Sequence, residues 1–424
     1  MNLKAREPDT IAGIPLTPES GLILRCVRHY SGRDERTRIA RQLQGRLDWD
    51  ALLRLAEAHK ILPILHAVLK ESHWREVPES VLETMKRKHA ANFAGNLLLS
   101  YELIRILEAL GSRGIRCLVF KGPTLAVAAY GSIAMRRFQD LDLLVRRNDF
   151  LKTKDLLREI GYQPALRLPE AYEKHFYLTR SEHHFVRNDG KATVDLHWGL
   201  SPPCFSFFQD LDRLWPRSVT VAIEGATVRA PGMEDLLLFL CRHGAKHRWE
   251  GLSLISDVAV LIAAHRAMDW PGVLARAKRT NSTVMLALGL RLAAELAGAE
   301  VPENIGDWMR ADRKGEVLAG KVIRSLFSSE ERPTVDVADR LNLFHMRTMS
   351  RFTDRLHEIV LNLFTPTSIE LSLIRLPARL YFLYYPCRLL RLAVRSVLNK
   401  ALRTPRRQTP DRTGARRTSG SDKP

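Results

Sequence analysis

Two aspartates at alternate positions, Asp140 and Asp142, lie in a short apolar stretch that is typical of a β-strand. Because side chains along a strand point alternately to opposite faces, this spacing places both carboxylates on one face and Leu141 on the other. Two adjacent carboxylates repel each other at neutral pH unless a cation lies between them. A hard divalent ion such as Mg²⁺, which binds carboxylate and phosphate oxygens, would remove that repulsion. The pattern predicts a metal site on this strand.

A Lys-Gly turn, Lys121 and Gly122, precedes these acids in the same stretch, between a predicted strand at 115–120 and a predicted helix at 123–130. A glycine without Cβ lets backbone N–H groups approach a phosphate closely, and the N-terminus of the following helix favours an anion. Lys121 would add a positive charge. The turn is therefore a candidate phosphate-binding site beside the two aspartates.

The order of residues across this stretch resembles the signature of the nucleotidyltransferase fold, the superfamily that includes DNA polymerase beta. It most closely resembles a bacterial family of uncharacterised nucleotidyltransferases, and further matches at 48–65, 243–262 and 364–392 extend the resemblance over most of the chain. The residues that carry the signature are Lys121, Gly122, Tyr130, Gly131, Arg136, Asp140, Asp142 and Val145.

The resemblance implies an α+β fold, in which a mixed sheet of the nucleotidyltransferase type is flanked by N-terminal helices and a C-terminal helical bundle. It implies that Asp140, Asp142 and a third acid, Asp195, are the catalytic residues and hold Mg²⁺ or Mn²⁺. Asp195 would act as the base for the incoming hydroxyl or as a ligand of a second ion. His197, two positions further on, would share the face of Asp195 and could contact the substrate or a metal.

The resemblance also implies that Lys121, Gly122, Thr124 and Arg136 bind the nucleotide. The turn departs from the superfamily pattern, because Gly122 is followed by Pro123 where a second glycine or a serine is usual. The pair at 131–132 is an alternative match, but it leaves little room for a helix before Asp140. We therefore favour the Lys-Gly turn.

Helical periodicity and turn residues divide the chain into consecutive segments. Asp48 is a candidate helix N-cap, and Pro63 and Pro78 interrupt the early helical pattern. Alternating residues predict strands at 183–187 and 192–198 and a hairpin at 219–230. The predicted segments are a flexible lead-in (1–20), a helical region (21–110), the nucleotidyltransferase core (111–232), a helical bundle (233–365), a basic amphipathic helical segment (366–402) and a disordered basic tail (403–424).

The formal charge of +19 predicts affinity for polyanions such as nucleic acid, nucleotides or anionic lipid. Arg388, Arg391 and Arg395 form a basic stripe that favours either a membrane surface or a helix packed on the bundle with its arginines outward. The five cysteines are scattered without any Cys-x-x-Cys, and no apolar run is long enough to span a membrane. We expect a cytoplasmic protein, with peripheral attachment to the inner membrane as an alternative.

His243 and His247 lie one helical turn apart, which places both imidazoles on one face. No glutamate follows the first histidine, so the pattern differs from the His-Glu-x-x-His of zinc proteases. A structural or substrate-contact role is favoured for both. We interpret Asp257 as a buried polar partner of this helix rather than as a catalytic acid.

Together these features predict a metal-dependent nucleotidyltransferase. It would move a nucleoside monophosphate from a nucleoside triphosphate, ATP among the candidates, to an unidentified acceptor hydroxyl of a protein, small molecule or RNA. One alternative is a catalytically inactive scaffold of the same fold that binds partners, docked at the membrane surface. Another is a toxin-like transferase that acts on tRNA.

Overall fold

The computed structural model describes residues 10–166, 168, 170–205, 211–327, 342–366, 368–374 and 376–403. The strands are β1 (Thr10–Ile11), β2 (Ile14–Pro15), β3 (Cys117–Val119), β4 (Leu141–Val145), β5 (Tyr162–Pro164), β6 (Glu182–Arg187), β7 (Thr193–His197), β8 (Val219–Ile223) and β9 (Ala226–Ala230). The helices are α1 (Pro18–Tyr30), α2 (Arg36–Leu43), α3 (Trp49–Ala58), α4 (Leu62–Ser72), α5 (Glu79–Ser112), α6 (Pro123–Tyr130), α7 (Phe150–Glu159), α8 (Glu170–Thr179), α9 (Met233–Lys246), α10 (Leu252–Ala264), α11 (Trp270–Arg279), α12 (Thr283–Ala297), α13 (Glu303–Ala311), α14 (Arg313–Phe327), α15 (Leu343–Thr348), α16 (Phe352–Phe364), α17 (Ser368–Leu373) and α18 (Tyr384–Arg403).

The fold is α+β and centres on a mixed five-stranded sheet with the order β3-β4-β7-β6-β5. Strands β4 and β7 run parallel, whereas the other neighbours in this sheet are antiparallel. Helices precede the sheet and a helical bundle follows it, as predicted. The parallel pair aligns Asp142 with Asp195, so two of the predicted acids lie side by side.

The two faces of this sheet bury different cores. Leu141, Leu143 and Val145 of β4 pack with α5 and α7 on one face, whereas Leu144 belongs to the core that the helical bundle shares. Because side chains alternate along the strand, Asp142 lies on the bundle side with Leu144. The sheet therefore presents its acids toward the helices that follow it in sequence.

The N-terminal segment is more structured than predicted. Residues 10–15 form the short β1–β2 ribbon, and α1 begins at Pro18, inside the segment predicted to be a flexible lead-in. The Thr17 side chain accepts a hydrogen bond from the Ser20 backbone N–H and caps the helix. Asp48 caps α3 in the same way, as predicted. Residues 1–9 lie outside the described residues.

Two arginines of the C-terminal helix α18 point inward, although the sequence predicted them to point outward. Arg388 is only 2% exposed and, with Arg391, contacts the buried Glu370 carboxylate of α17, while Leu390 of the same helix is 67% exposed. A buried carboxylate requires a cationic partner, and this requirement turns the arginines inward. The prediction of an outward basic stripe is wrong for both arginines. The predicted basic tail from 404 onward lies outside the described residues.

Helix α10 is attached to the sheet domain by a buried carboxylate, that of Asp257. Its Oδ1 accepts hydrogen bonds from the Tyr130 hydroxyl at 2.7 Å and from Arg136 Nε at 2.8 Å, and its Oδ2 accepts one from Arg136 Nη2 at 2.9 Å. Asp257 is 1% exposed. Its partners lie at the end of α6 and in the segment that follows rather than on the His243 helix, but it is the buried polar residue that the sequence predicted.

None of the helices in the described ranges is both long enough and apolar enough to cross a membrane. The five cysteines are free thiols.

We predict that replacing Asp257 by alanine destabilises the protein by about 3–5 kcal/mol, because it leaves the Arg136 guanidinium buried without its carboxylate. Denaturant unfolding would measure the change. Asp307→Ala, which removes an exposed ion pair with Arg310, is the matched control and should cost less than about 1 kcal/mol. Equal effects of the two substitutions would contradict the structural role of Asp257.

A second prediction concerns His183 of β6, which is 5% exposed and lies between the rings of Phe176 and Phe185. Burial lowers the pKa of His183 from 6.5 to about 4. The unfolded chain therefore binds a proton between these values that the folded protein does not, and stability is lost as the pH falls from 6.5 to 4. In His183→Leu this loss is absent. As the pH falls from 6.5 to 4, the free energy of unfolding of the variant should therefore rise relative to that of the unaltered protein by up to about 3 kcal/mol. A pH-independent difference between the two proteins would refute the assignment of the low pKa to His183.

Candidate active site

A polar cavity of about 670 Å³, here called the main cavity, opens between the bundle side of the sheet and helix α9. Strands β4, β6 and β7, the loop before β4 and the start of α10 complete its wall. Its cationic side chains are Lys60, Lys121, Arg136, Arg137, Arg242 and Lys246, and its acidic side chains are Asp140, Asp142, Glu182, Asp195 and Glu250. So many charges of both signs around one cavity are typical of a site for a charged ligand.

Three side chains in this cavity converge as a group that could hold a metal ion. Asp142, Asp195 and His197 each offer one ligand atom, and these atoms lie within 4.8 Å of one another. The parallel register of β4 and β7 brings the two carboxylates together, and His197 follows Asp195 on the same face. The predicted proximity of His197 to the third acid is thus present in the structure.

Asp142 is the most deeply buried member of the group, at 1% exposure. Its Oδ1 lies 2.8 Å from Lys121 Nζ and 3.5 Å from His197 Nε2. Burial favours the protonated acid, but the charge of Lys121 and the contact with His197 outweigh it and lower the pKa of Asp142 to about 2. Asp142 is therefore a carboxylate at every pH at which the protein would work.

Two buried atoms of this group have no hydrogen-bond partner in the described part of the chain, Asp142 Oδ2 and His197 Nε2. A buried polar atom without a partner is destabilising, and such atoms at a functional site indicate a missing ligand. Two carboxylates and an imidazole form a donor set that Mn²⁺ accepts, and the carboxylates alone suit Mg²⁺. The residues fit a divalent cation.

The predicted metal set, Asp140 with Asp142 and Asp195, differs from the observed group by one member. Asp140 lines the main cavity but does not belong to the group, whose third member is His197. Asp140 precedes β4, so the strand geometry that aligns Asp142 with Asp195 does not extend to it. Burial and the neighbouring Asp142 raise the pKa of Asp140.

The Lys-Gly turn lies directly against the acids. Gly122 has a φ of +57°, and a Cβ there would lie 3.3 Å from the Asp140 backbone oxygen, so the turn requires glycine. Lys121 projects into the main cavity, but Gly122 and Thr124 are not part of its wall. Thr124 is 2% exposed and donates its hydroxyl proton to the Lys121 carbonyl at 3.0 Å. The Thr124 hydroxyl is thus hydrogen-bonded within the turn, and its predicted contact with the nucleotide stays a prediction.

Arg136 lines the main cavity while two of its nitrogens are bound to Asp257. The predicted contact with the nucleotide stays a prediction, because the Asp257 carboxylate already balances the charge of Arg136. The sequence alone does not reveal this pair, because the partners are 121 positions apart.

Sequence reasoning did not identify Glu182 and His184 on β6 or Lys246 on α9 as functional candidates. His184 Nδ1 lies 2.5 Å from Asp195 Oδ1, and Glu182 lies 3.3 Å from both His197 Nδ1 and Lys246 Nζ. The antiparallel register pairs His184 with Asp195 and Glu182 with His197. The sequence signal that could have identified Glu182 and His184 is the alternating Glu-x-His of β6, which matches the Asp-x-His of β7.

His243 and His247 both line the main cavity, and their rings lie 4.4 Å apart. Burial and nearby cations, Lys121 and Lys246 among them, lower the pKa of both, that of His247 to about 4. Both imidazoles are therefore neutral at pH 7. These two histidines therefore add no positive charge to the cavity.

Comparison with known proteins gives a family match and two similar solved structures. A protein-family model described as uncharacterised nucleotidyltransferase matches residues 45–298. Among solved structures, the antibiotic-resistance factor ANT(2'')-Ia is similar, with 14% identity and a TM-score of 0.31 over 42% of this chain and 89% of that one. An antigenic nucleotidyltransferase-like protein from Paracoccidioides brasiliensis is also similar, with 14% identity and a TM-score of 0.28 over 49% and 93% of the respective chains. No curated protein matches the sequence significantly.

We predict that Asp142→Asn and Asp195→Asn each weaken Mn²⁺ binding by at least about tenfold, because each removes a negatively charged ligand. Electron paramagnetic resonance of free Mn²⁺ would measure the affinity. Asp189→Asn is the matched control, because Asp189 lies outside the cavity and pairs with Arg187. Asp195 is less buried than Asp142, so its variant tests the site even if Asp142→Asn folds poorly. Unchanged Mn²⁺ affinity in a folded Asp195→Asn variant would rule this metal site out.

Proposed function

The chain belongs to the family of uncharacterised nucleotidyltransferases whose model spans residues 45–298, and on that premise we propose that it transfers a nucleoside monophosphate from a nucleoside triphosphate to an acceptor hydroxyl. The main cavity would be the active site. Pyrophosphate would leave as the bond between the α- and β-phosphates breaks. The observation that carries the proposal is the buried group of Asp142, Asp195 and His197, in which one carboxylate oxygen has no partner among the described residues.

Mg²⁺ or Mn²⁺ bound to this group would neutralise phosphate charge and orient the reacting oxygens, as in other phosphoryl transfers. Asp142 and Asp195 would be its ligands, with His197 beside them. Asp140 stays a proposed catalytic acid, since it lines the same cavity. The triphosphate would thus lie between the sheet and α9.

The cations of the cavity are suited to holding the phosphates. Lys121 is buried, and although burial alone would lower its pKa, Asp142 and Asp140 raise it, so it is charged. Burial lowers the pKa of Arg242 to about 10, which still leaves it charged at pH 7. Together with Lys246 these groups surround the acids from the turn and from α9. They would stabilise the charge that develops on the departing pyrophosphate.

Asp195 and His184 are the candidates for handling the proton of the acceptor hydroxyl. The Asp195 carboxylate lies at the edge of the metal group and contacts His184, whose pKa it raises by this contact. The incoming hydroxyl would lose its proton to Asp195, while His184 orients that carboxylate. A general base must lie within hydrogen-bond reach of the proton that it removes, and the cavity leaves Asp195 accessible.

An inactive scaffold of the same fold is less well supported. A scaffold would have no need for a buried carboxylate oxygen without a partner, since such a group is destabilising when nothing binds it. The outward basic stripe that favoured docking at an anionic surface is also weaker than predicted, because Arg388 and Arg391 are bound to Glu370. Affinity for nucleic acid or anionic lipid would then depend on the remaining cations of the chain.

We predict that the protein transfers label from an α-³²P-labelled nucleoside triphosphate to one fraction of a cell lysate in the presence of Mg²⁺ or Mn²⁺. Separate incubations with each of the four triphosphates would show the base preference. Fractionation into protein, RNA and small molecules would show the acceptor, and label on tRNA would favour the toxin-like alternative.

Asp142→Asn and Asp195→Asn should each lower the rate of this transfer by at least about 10²-fold, because they remove charge stabilisation in the transition state. Asp189→Asn should transfer at the rate of the unaltered protein. Calorimetry with each triphosphate and Mg²⁺ provides the second readout. Absence of both transfer and nucleotide binding would favour the scaffold.

A further inference from the structure

A second cavity, of about 570 Å³, adjoins the main cavity. The two share the side chains of Lys60, Arg137, Phe138 and Gln139. The shared loop leads directly into Asp140 and β4. A molecule bound in the second cavity would therefore lie beside the acids, separated from them by three residues of chain.

The second cavity is strongly basic. Lys60, Arg137 and Lys191 line it, are exposed, and form no ion pair with any described residue. Lys88 also lines it, but its ammonium contacts the Glu57 carboxylate. Three unbalanced cations around one concave site attract an anion, because the cavity concentrates their field.

The backbone at Lys60 adds an independent observation. Lys60 follows the C-cap of α3 and has a φ of +57°, a left-handed conformation that a glycine adopts without strain at this helix position. A lysine there is destabilising relative to glycine, and strained residues of this kind concentrate at functional sites. The Lys60 side chain borders both cavities, which gives a reason for a lysine at this position.

Apart from the exposed Gln139, the remaining walls are apolar or already paired. Leu62, Leu98 and Leu99 supply apolar surface. The Asn96 side-chain amide donates to the backbone oxygens of Ile133 and Arg136, so it holds the loop rather than facing a ligand. Recognition of an anion in this cavity would therefore fall to the three unpaired cations.

Resting on the proposed function, we propose that the second cavity binds the acceptor, and that the acceptor is a small molecule with a hydroxyl group and a phosphate or carboxylate group. Its volume lies within the range of small-molecule sites. The nucleoside triphosphate would bind beside the metal group and Lys121 in the main cavity. The anionic group of the acceptor would bind Lys60, Arg137 and Lys191, and its hydroxyl would extend past the shared loop toward Asp195.

Pyridoxal 5′-phosphate tests this site without knowledge of the acceptor. Its aldehyde forms an imine with a lysine amine and releases water, and borohydride reduces the imine to a stable amine. Mass spectrometry would compare labelling by this anionic reagent with labelling by uncharged pyridoxal, in the presence of Mg²⁺ and a saturating non-hydrolysable triphosphate. Lys191 is the readout, because it lines only the second cavity.

We expect the anionic reagent to label Lys191 at least about tenfold faster than pyridoxal does, as electrostatic attraction into a basic cleft implies. Lys152 on α7, exposed and without an ion pair among the described residues, is the reference lysine and should show a much smaller preference. Inorganic phosphate and citrate, in separate arms, should each suppress the preference at Lys191 if they compete for the site. The stronger competitor would indicate whether the acceptor carries phosphate or carboxylate.

Arg137→Gln should reduce the preference at Lys191 severalfold, whereas the matched substitution Arg158→Gln on α7 should leave it unchanged. Equal preference at Lys191 and Lys152 with the triphosphate bound would overturn the inference, because the acceptor and the triphosphate must bind at the same time. Suppression by RNA oligomers alone would overturn the small-molecule class.

Transfer of labelled nucleotide is a separate readout. Intact transfer with no anion preference at Lys191 would refute only the acceptor site. A preserved preference in a protein that neither transfers nor binds nucleotide would refute the proposed function, and the acceptor role with it, while leaving an anion site.

Discussion

A carboxylate buried on the bundle side of the sheet determines how this site is built. Asp142 is nearly inaccessible, so its charge must be balanced from within the protein, and Lys121 from the glycine turn supplies that balance at 2.8 Å. The turn can approach because Gly122 has no Cβ to meet the backbone before β4. The strand, the turn and the helix after it are thus held in one arrangement by a single pair of charges. That pair leaves one carboxylate oxygen available for a metal ion.

A second buried carboxylate joins this site to the helical bundle. Asp257 binds both Arg136 and Tyr130, which flank the loop that leads to the acids. The bundle therefore positions the loop, and α9 of the same bundle brings Arg242 and Lys246 to the opposite wall of the main cavity. Helices far along the chain complete a site whose acids belong to the sheet. This arrangement explains why residues on both sides of residue 233 are needed for one cavity.

The parts of the site that follow from local geometry were predictable. Strand alternation placed Asp195 and His197 on one face, and the turn chemistry placed Gly122 near the acids; both agree with the structure. The functional assignments of Thr124 and Arg136 depended on what surrounds them. The Thr124 hydroxyl donates a hydrogen bond to a backbone carbonyl, and the Arg136 guanidinium donates to the Asp257 carboxylate. A motif specifies residue types at fixed spacing, but it does not specify which buried groups need a partner.

The sequence by itself determined the face that Asp195 shares with His197 and the glycine required at the turn, because these depend on strand periodicity and on steric exclusion within a few residues. Its resemblance to a known family implied the α+β class. Only the tertiary structure decided which cations balance which acids. It pairs Lys121 with Asp142, Arg136 with Asp257 and Arg388 with Glu370, whereas Lys60, Arg137 and Lys191 around the second cavity have no ion-pair partner among the described residues. The reason is that the energy of a charge depends on its burial and on its nearest opposite charge, and both are set by residues distant in the chain.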